Sequence, residues 1–93
     1  MFGQINLAQF PECRLPQKAQ SAFDAVFGGL VGVSYKPVLY KGEQEVHGNN
    51  YYIFVEQTTL GNPQARQLFQ VCINESRNKD GQVEYTLENK EEI

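Results

Sequence analysis

The spacing of apolar residues changes once along this chain, at the glycine-rich stretch 28–32. Beyond this stretch, apolar and polar residues alternate with a period of two, which is typical of half-buried β-strands. Before it, apolar residues recur with the period of one face of an α-helix. That apolar stripe consists of Leu15, Ala19, Ala22, Phe23 and Val26. The pattern therefore predicts one helix followed by a sheet, which is an α+β fold.

Residues 16–27 form the predicted helix, and both of its ends carry residues that suit those positions. Pro16 suits the first turn, where a backbone N–H has no partner within the helix. Gly28 and Gly29 should end it, since glycine is the common residue just past a helix C-terminus. We expect a helix of about three turns.

Four strands are predicted beyond Gly32, separated by turn signals rich in glycine, asparagine and proline. Pro37 indicates an edge strand or a bulge, because proline cannot donate a ladder hydrogen bond. The acidic stretch "ENKEEI" is interpreted as a tail that closes the chain. The four runs with period two are 33–41, 51–56, 68–74 and 83–88. We expect an antiparallel sheet of four to five strands wrapped around the one N-terminal helix, the only element available to cover its apolar face.

Two of the three predicted hairpin loops should lie at the same end of the sheet. Successive strands are antiparallel, so the loops near 44–49 and 75–82 share one end, and the loop near 61–64 lies at the other. In the first loop, Gly48 and the two asparagines after it tolerate a positive φ and predict a tight turn. Val46 is unusual there, because it places an apolar side chain at the tip of a polar loop.

Length and charge disfavour several classes of function. The chain has 93 residues, enough for one domain with a modest core. Its net charge of −3 and scattered basic residues argue against nucleic acid or a membrane surface as a partner. No apolar run approaches the ~18 residues that a membrane span needs, and residues 1–10 do not resemble a signal peptide. If Met1 is the native start, we expect a cytoplasmic protein; if a leader was removed, a secreted one.

The chain offers few residues for catalysis or metal binding. Cys13 and Cys72 are its two cysteines, and we expect both to be free thiols. An enzyme would need one of these cysteines beside His47. Cys13 falls in the flexible segment that precedes the predicted helix at residue 16, called here the lead-in, and Cys72 falls in a strand. One histidine and two distant cysteines lack the ligand spacing of a metal site. We expect no catalytic residue, metal or cofactor.

Residues 44–48 read Gln-Glu-Val-His-Gly, which fits the Gln-x-Val-x-Gly motif of the cystatins, inhibitors of papain-like cysteine proteases. The "NNYYIFV" that follows resembles the strand that leaves this motif in stefins, the cystatins without disulfides or a signal peptide. The start "MFG" is similar to the stefin N-terminus, where a glycine precedes the helix. The element order is similar over nearly the whole chain, and close residue similarity covers residues 35–57.

The resemblance implies a reversible, competitive inhibitor that blocks the cleft of cathepsin-type proteases with the N-terminal segment and two hairpins. Val46 would then be an apolar anchor buried in the partner, and Gly48 would permit the turn and a close approach of two backbones. Gln44 would brace the loop by a hydrogen bond. The resemblance assigns to protease binding the residues Gly3, Gln44, Glu45, Val46, His47, Gly48, Ser76, Arg77, Asn78 and Lys79.

Two other interpretations remain open. A cystatin-like protein-binding module without inhibitory activity is favoured by the polar second loop, "ESRNKDGQ", where many cystatins carry proline beside an apolar residue. We expect a monomer, but long hairpins can exchange between chains, so a domain-swapped dimer is the third interpretation. Inhibition of a papain-like protease is the property that separates the first two.

Overall fold

A computed structural model describes residues 7–61 and 64–93 of the chain. The described elements are α1 Gln17–Phe27, β1 Val33–Glu45, β2 Asn49–Thr59, β3 Ala65–Arg77 and β4 Val83–Glu92. The strands form one antiparallel sheet in the order β1-β2-β3-β4. The predicted α+β fold is therefore confirmed, with four strands in the described part of the chain.

Helix α1 ends where the sequence predicts and begins one residue later than predicted. Pro16 is its N-cap residue, and Gly28 is its C-cap residue, whose N–H donates a hydrogen bond to the carbonyl oxygen of Asp24. The helix has 11 residues, whereas β1 and β3 each have 13. A helix of this length spans about 16 Å and such strands about 43 Å, so α1 covers only part of the sheet.

The core lies between α1 and the middle of the sheet. The predicted helix stripe is buried except for Val26, which is half-buried, and Phe27 joins it. From the sheet come alternate residues of β2 and β3, which are Tyr51, Ile53, Val55, Val71 and Ile73. Full burial of an aliphatic side chain contributes about 1.5–3 kcal/mol. A shift of one residue in either strand would turn this face outward, so the buried face sets the register.

Strand β1 is an edge strand with two irregularities, as Pro37 predicts. The register with β2 shifts just after Pro37 and again just after Tyr40, so that an extra residue of β1 bulges out at each place. The strand continues to Glu45, beyond its predicted end at Lys41. Each bulge reverses which side of the sheet the next residues face, so a simple alternation could not extend the prediction to the true end.

Strand β4 forms the other edge and is longer than predicted. The stretch "ENKEEI" is not a tail, because most of it pairs with β3: Asn89 lies opposite Cys72, and Glu92 lies opposite Phe69. Almost every residue of β4 is exposed. Charged side chains are common on edge strands, where they oppose pairing with other chains, and an acidic composition is thus compatible with a strand here.

The molecule is elongated, with dimensions of 54 × 25 × 24 Å. The β1–β2 and β3–β4 turns lie at one end of the sheet, called here the hairpin end. The β2–β3 turn and the α1–β1 connection lie at the other, the far end, where the Leu60 N–H donates to the carbonyl oxygen of Gly32. Within residues 7–61 and 64–93, no helix has the length and apolar character needed to cross a membrane.

Candidate functional site

The first hairpin turn consists of Val46, His47 and Gly48, between β1 and β2. His47 and Gly48 both have a positive φ, of 44° and 104°. Within the turn, the Val46 N–H donates a hydrogen bond of 3.0 Å to the Gly48 carbonyl oxygen. A positive φ is uncommon for residues other than glycine, so the turn holds His47 in a backbone conformation that few sequences would adopt unaided.

The residues that flank this turn belong to strands, so the turn is tighter than the predicted loop. Gln44 pairs with Asn50, and Glu45 pairs with Asn49. The two asparagines therefore do not supply the positive φ, and that expectation is wrong. The hydrogen bond expected of Gln44 is present: the Tyr52 hydroxyl donates to its Oε1 over 2.9 Å. This bond ties β1 to β2 just before the turn.

Val46 lies at the tip of the first hairpin, where the sequence analysis places it. It is 39% exposed, and it is not among the residues of the apolar core. The exposed valine offers a partner a small apolar contact on an otherwise polar turn. Its burial in a protease stays a prediction.

The second hairpin turn, between β3 and β4, is organised by Asn78. The side-chain Oδ1 of Asn78 accepts hydrogen bonds from the N–H groups of Asp80 and Gln82, over 2.9 and 3.0 Å. Gly81 has a φ of 81° and donates its N–H to the Asn78 carbonyl oxygen over 2.9 Å. Asparagine commonly forms turns in this way, so Asn78 is a local sequence signal for this turn, together with Asp80 and Gly81.

Two of the residues predicted at the second tip occupy a strand instead. Ser76 and Arg77 are the last residues of β3, whereas Asn78 and Lys79 do lie in the turn. The Nη1 group of Arg77 donates to the carbonyl oxygen of Gly81 over 2.9 Å, which closes the hairpin. The end of β3 is polar on both faces, and the alternation of apolar residues on which the prediction depended is absent there.

The two hairpins lie side by side, as the antiparallel topology predicts. Asn49 at the start of β2 pairs with Glu75 of β3. Gly48 lies so close to β3 that a Cβ atom at this position would overlap the carbonyl oxygen of Glu75. The close backbone approach that Gly48 permits therefore occurs within this chain, between the first turn and the strand that leads to the second.

Glu75, which the sequence analysis did not single out, joins three strands beneath the hairpins. Its Oε1 accepts hydrogen bonds from the Tyr51 hydroxyl at 3.0 Å and the Asn49 amide at 3.4 Å, and its Oε2 accepts one from the Tyr85 hydroxyl at 3.1 Å. Burial, together with this carboxylate, raises the pKa of both tyrosines. Both hydroxyls therefore remain donors. The sequence signal for this position is strand alternation: Glu75 lies two residues after Ile73 and therefore on the same face of β3.

An open cleft of about 590 Å³ lies between α1 and the two hairpins. Lys18 of α1, His47 of the first turn, and Glu75, Ser76 and Arg77 of β3 line it. The sequence predicts that the hairpins are neighbours but gives no sign that the helix lies beside them. In the part of the chain that the structure describes, no group of three or more metal-ligating side chains comes together, in this cleft or elsewhere.

Gly3, the N-terminal position assigned to protease binding, lies outside the described residues. The chain at residues 7–10 is held at the far end of the sheet. Arg66 donates two hydrogen bonds to its backbone carbonyl oxygens, of 3.3 and 2.9 Å, and Lys36 donates one of 2.7 Å. Arg66 pairs with Thr58 of β2. The first hairpin turn lies at the opposite end of β2, about nine residues or about 30 Å from Thr58.

Glu56 holds these two cations in position. It is 5% exposed, with its Oε2 2.6 Å from Nη2 of Arg66 and its Oε1 3.7 Å from Nζ of Lys36. The hydrogen bond from Arg66 lowers the pKa of Glu56 below its ordinary value, although burial acts in the opposite direction. In the predicted strand 51–56, Glu56 falls on the face opposite Tyr51, Ile53 and Val55. Local alternation gives no sign of the segment that covers this face.

Both cysteines are free thiols in the described structure. Cys72 is 6% exposed, and burial raises the pKa of its thiol. Cys13 does not lie in a flexible segment, so that expectation is wrong: it packs against the core, and its N–H donates to the carbonyl oxygen of Pro37 over 2.8 Å. This bond attaches the lead-in to the open edge of β1.

Comparison with known proteins gave no matching family model, no matching curated protein and no matching solved structure.

Proposed function

We propose that this protein is a reversible, competitive inhibitor of papain-like cysteine proteases of the cathepsin type, which uses its two hairpins to block the active-site cleft. The observation that carries the proposal is the packing of the first turn against the second hairpin, with Val46 exposed at the tip. Two adjacent turns at one end of an elongated molecule form a narrow projecting edge. Such an edge suits a concave partner surface.

The hairpin end is organised before any partner binds. Gly48 packs against β3, Gln44 is bonded to Tyr52, and Glu75 accepts hydrogen bonds from three neighbours. A contact surface that is already ordered loses little conformational entropy on binding, and this improves affinity. The short apolar contact of Val46 can therefore contribute more than it would on a mobile loop.

The backbone of the first turn also suits an inhibitor rather than a substrate. The positive φ of His47 and Gly48 lies outside the extended range of a β-strand. The neighbouring β3 backbone would hinder any straightening of the turn, because Gly48 is packed against it. The protein would thus occupy a protease cleft without presenting an extended peptide bond to the catalytic thiolate.

A titration against papain of known active-site concentration tests the proposal. We expect saturable inhibition that a competing substrate relieves and that dilution reverses, with the inhibitor recovered uncleaved. An absence of inhibition of papain and of cathepsin-type enzymes at micromolar concentration, with the protein shown to be folded, would reject the proposal.

One observation favours the second candidate, a protein-binding module without inhibitory activity. Residues 7–10 are bound at the far end by Arg66 and Lys36, about 30 Å along the sheet from the first turn. The described part of the lead-in thus does not add a third contact beside the hairpins. The second turn, organised by Asn78, offers hydrogen-bonding groups and no apolar anchor. A folded protein that binds papain without blocking substrate hydrolysis would be of this second kind.

A further inference from the structure

The cleft at the hairpin end collects positively charged and hydrogen-bonding groups from separate elements. Lys18 comes from α1, His47 from the first turn, and Arg77 from the end of β3. Asn49 adds a side-chain amide, and Ser76 also belongs to the lining. These residues are far apart in sequence, and only the packing of α1 beside both hairpins brings them around one space.

Neither Lys18 nor Arg77 forms an ion pair within the described residues. Both ion pairs found there, across residues 7–61 and 64–93, involve Glu56 at the far end. The described hydrogen bond of Arg77 uses Nη1 and is made to a backbone carbonyl. The cleft therefore has two permanent charges that no carboxylate neutralises at contact distance.

Glu75 is the one carboxylate among the described residues that line the cleft, and its oxygens already have other partners. Both tyrosine hydroxyls and the Asn49 amide donate to it. Its single negative charge is smaller than the combined charge of Lys18 and Arg77, so the lining keeps a net positive charge. The imidazole of His47 provides a further nitrogen for hydrogen bonding.

We propose that this cleft is a binding site for an oxyanion, a carboxylate or a phosphate, with Lys18 and Arg77 as the charged ligands. A guanidinium group can bind two oxygens of such an anion at once, and a lysine ammonium adds a mobile charge. The volume of about 590 Å³ is within the range of ligand pockets. His47 and Asn49 add further hydrogen-bonding groups around the two charges.

The oxyanion comes from one of two sources, which present the same chemistry. It is either a free small anion or an acidic side chain on the rim of the protease that the hairpins contact. The second source rests on the proposed function, whereas the first does not. Binding of the anion itself can therefore be measured without a protease, and its failure is separate from a failure of inhibition.

The test is an NMR titration of the ¹⁵N-labelled protein with inorganic phosphate and with citrate, at an ionic strength held constant with sodium chloride. We expect saturable shifts of the amide signals of His47, Asn49 and Ser76. Lys18→Gln and Arg77→Gln should each weaken binding about tenfold, as expected for the loss of a charge-assisted hydrogen bond. Lys41→Gln removes the same charge from an exposed site outside the cleft, and it should leave the dissociation constant unchanged.

Non-saturating shifts, or equal effects of Lys41→Gln and Lys18→Gln, would overturn the proposal, since they would indicate only a general charge effect. The two sources of the oxyanion are distinguished by measuring papain inhibition with and without phosphate at constant ionic strength. Competition by phosphate, together with weaker inhibition by Lys18→Gln, would support an acidic group on the protease. If neither added phosphate nor Lys18→Gln alters the inhibition, and the protein still binds the anion, the result would support a free anion.

Discussion

Gly48 of the first turn packs directly against the backbone of Glu75, which lies two residues before the end of β3 at the second turn. The contact joins the two hairpins through main-chain atoms, and the side chain of Glu75 strengthens it by its bonds to Asn49 and the two tyrosines. One glycine and one glutamate therefore help to hold the two tips in their relative position, together with the pairing of β2 with β3.

Replacing Gly48 by alanine should disturb both hairpins. The substitution imposes a positive φ on alanine and drives a Cβ atom into the Glu75 carbonyl oxygen, for a total cost of about 2–4 kcal/mol. Gly81→Ala is the matched control, because Gly81 also has a positive φ but open space around it, and it should cost about 1 kcal/mol. Urea unfolding measures both. Equal costs would show that the close approach contributes nothing.

Replacing Val46 by aspartate should weaken binding to the protease far more than it lowers the stability of the free protein. The side chain is exposed in the free protein, but in the complex the carboxylate would lose its hydration without gaining a partner. We expect the inhibition constant to rise about 30-fold or more and the unfolding midpoint to stay constant. Val31→Asp introduces the same change at a residue that is 96% exposed, near the far end, and should alter neither. If Val46→Asp unfolds the protein instead, Val46 belongs to the core and the proposed protease contact of this turn is wrong.

Glu56 should make the stability depend on pH in the acidic range. Its pKa is lowered in the folded protein by Arg66, so the folded state is stabilised above the ordinary glutamate pKa of about 4.3, and this contribution disappears as the pH falls through the lowered value. Glu56→Gln should cost about 1–3 kcal/mol at neutral pH and less in acid. Glu12→Gln, at an exposed residue without an ion pair in the described chain, should change little at either pH. A cost of Glu56→Gln that is the same at both would contradict the assignment.

The two thiols should differ in reactivity towards a thiol reagent. Cys72 is almost fully buried and burial raises its pKa, so it should react only when the protein opens. Cys13 is half-buried and should react first. Cys13→Ser should remove the fast phase and Cys72→Ser the slow one. A protein that shows no reactive thiol before treatment with a reductant would contradict the free state of both residues.

Local signals predicted the elements and the core well. Pro16 and Gly28 mark the ends of α1 because their backbone preferences act within a few residues. In the predicted strand 51–56, alternation places Tyr51, Ile53 and Val55 on one face, and these three residues are the buried ones. Each of these signals depends on neighbours in sequence.

The features that local sequence signals do not reveal depend on how the strands pair. The position of Glu56 beside Arg66 follows from the register of β2 with β3, and the chain that covers them comes from the N-terminus. The extra length of β1 could not be predicted because two bulges interrupt its alternation. The predicted loop wrongly includes Ser76 and Arg77, because polar residues at the end of a strand carry no apolar pattern.

The attachment of the lead-in has a consequence for variation among sequences. Arg66 and Lys36 bind carbonyl oxygens of the main chain, and every residue type provides such an oxygen. The exposed positions Ala8 and Gln9 can therefore change freely while the segment stays in place. Substitutions there would be neutral for folding, so natural or engineered relatives could carry different peptide sequences on the same support.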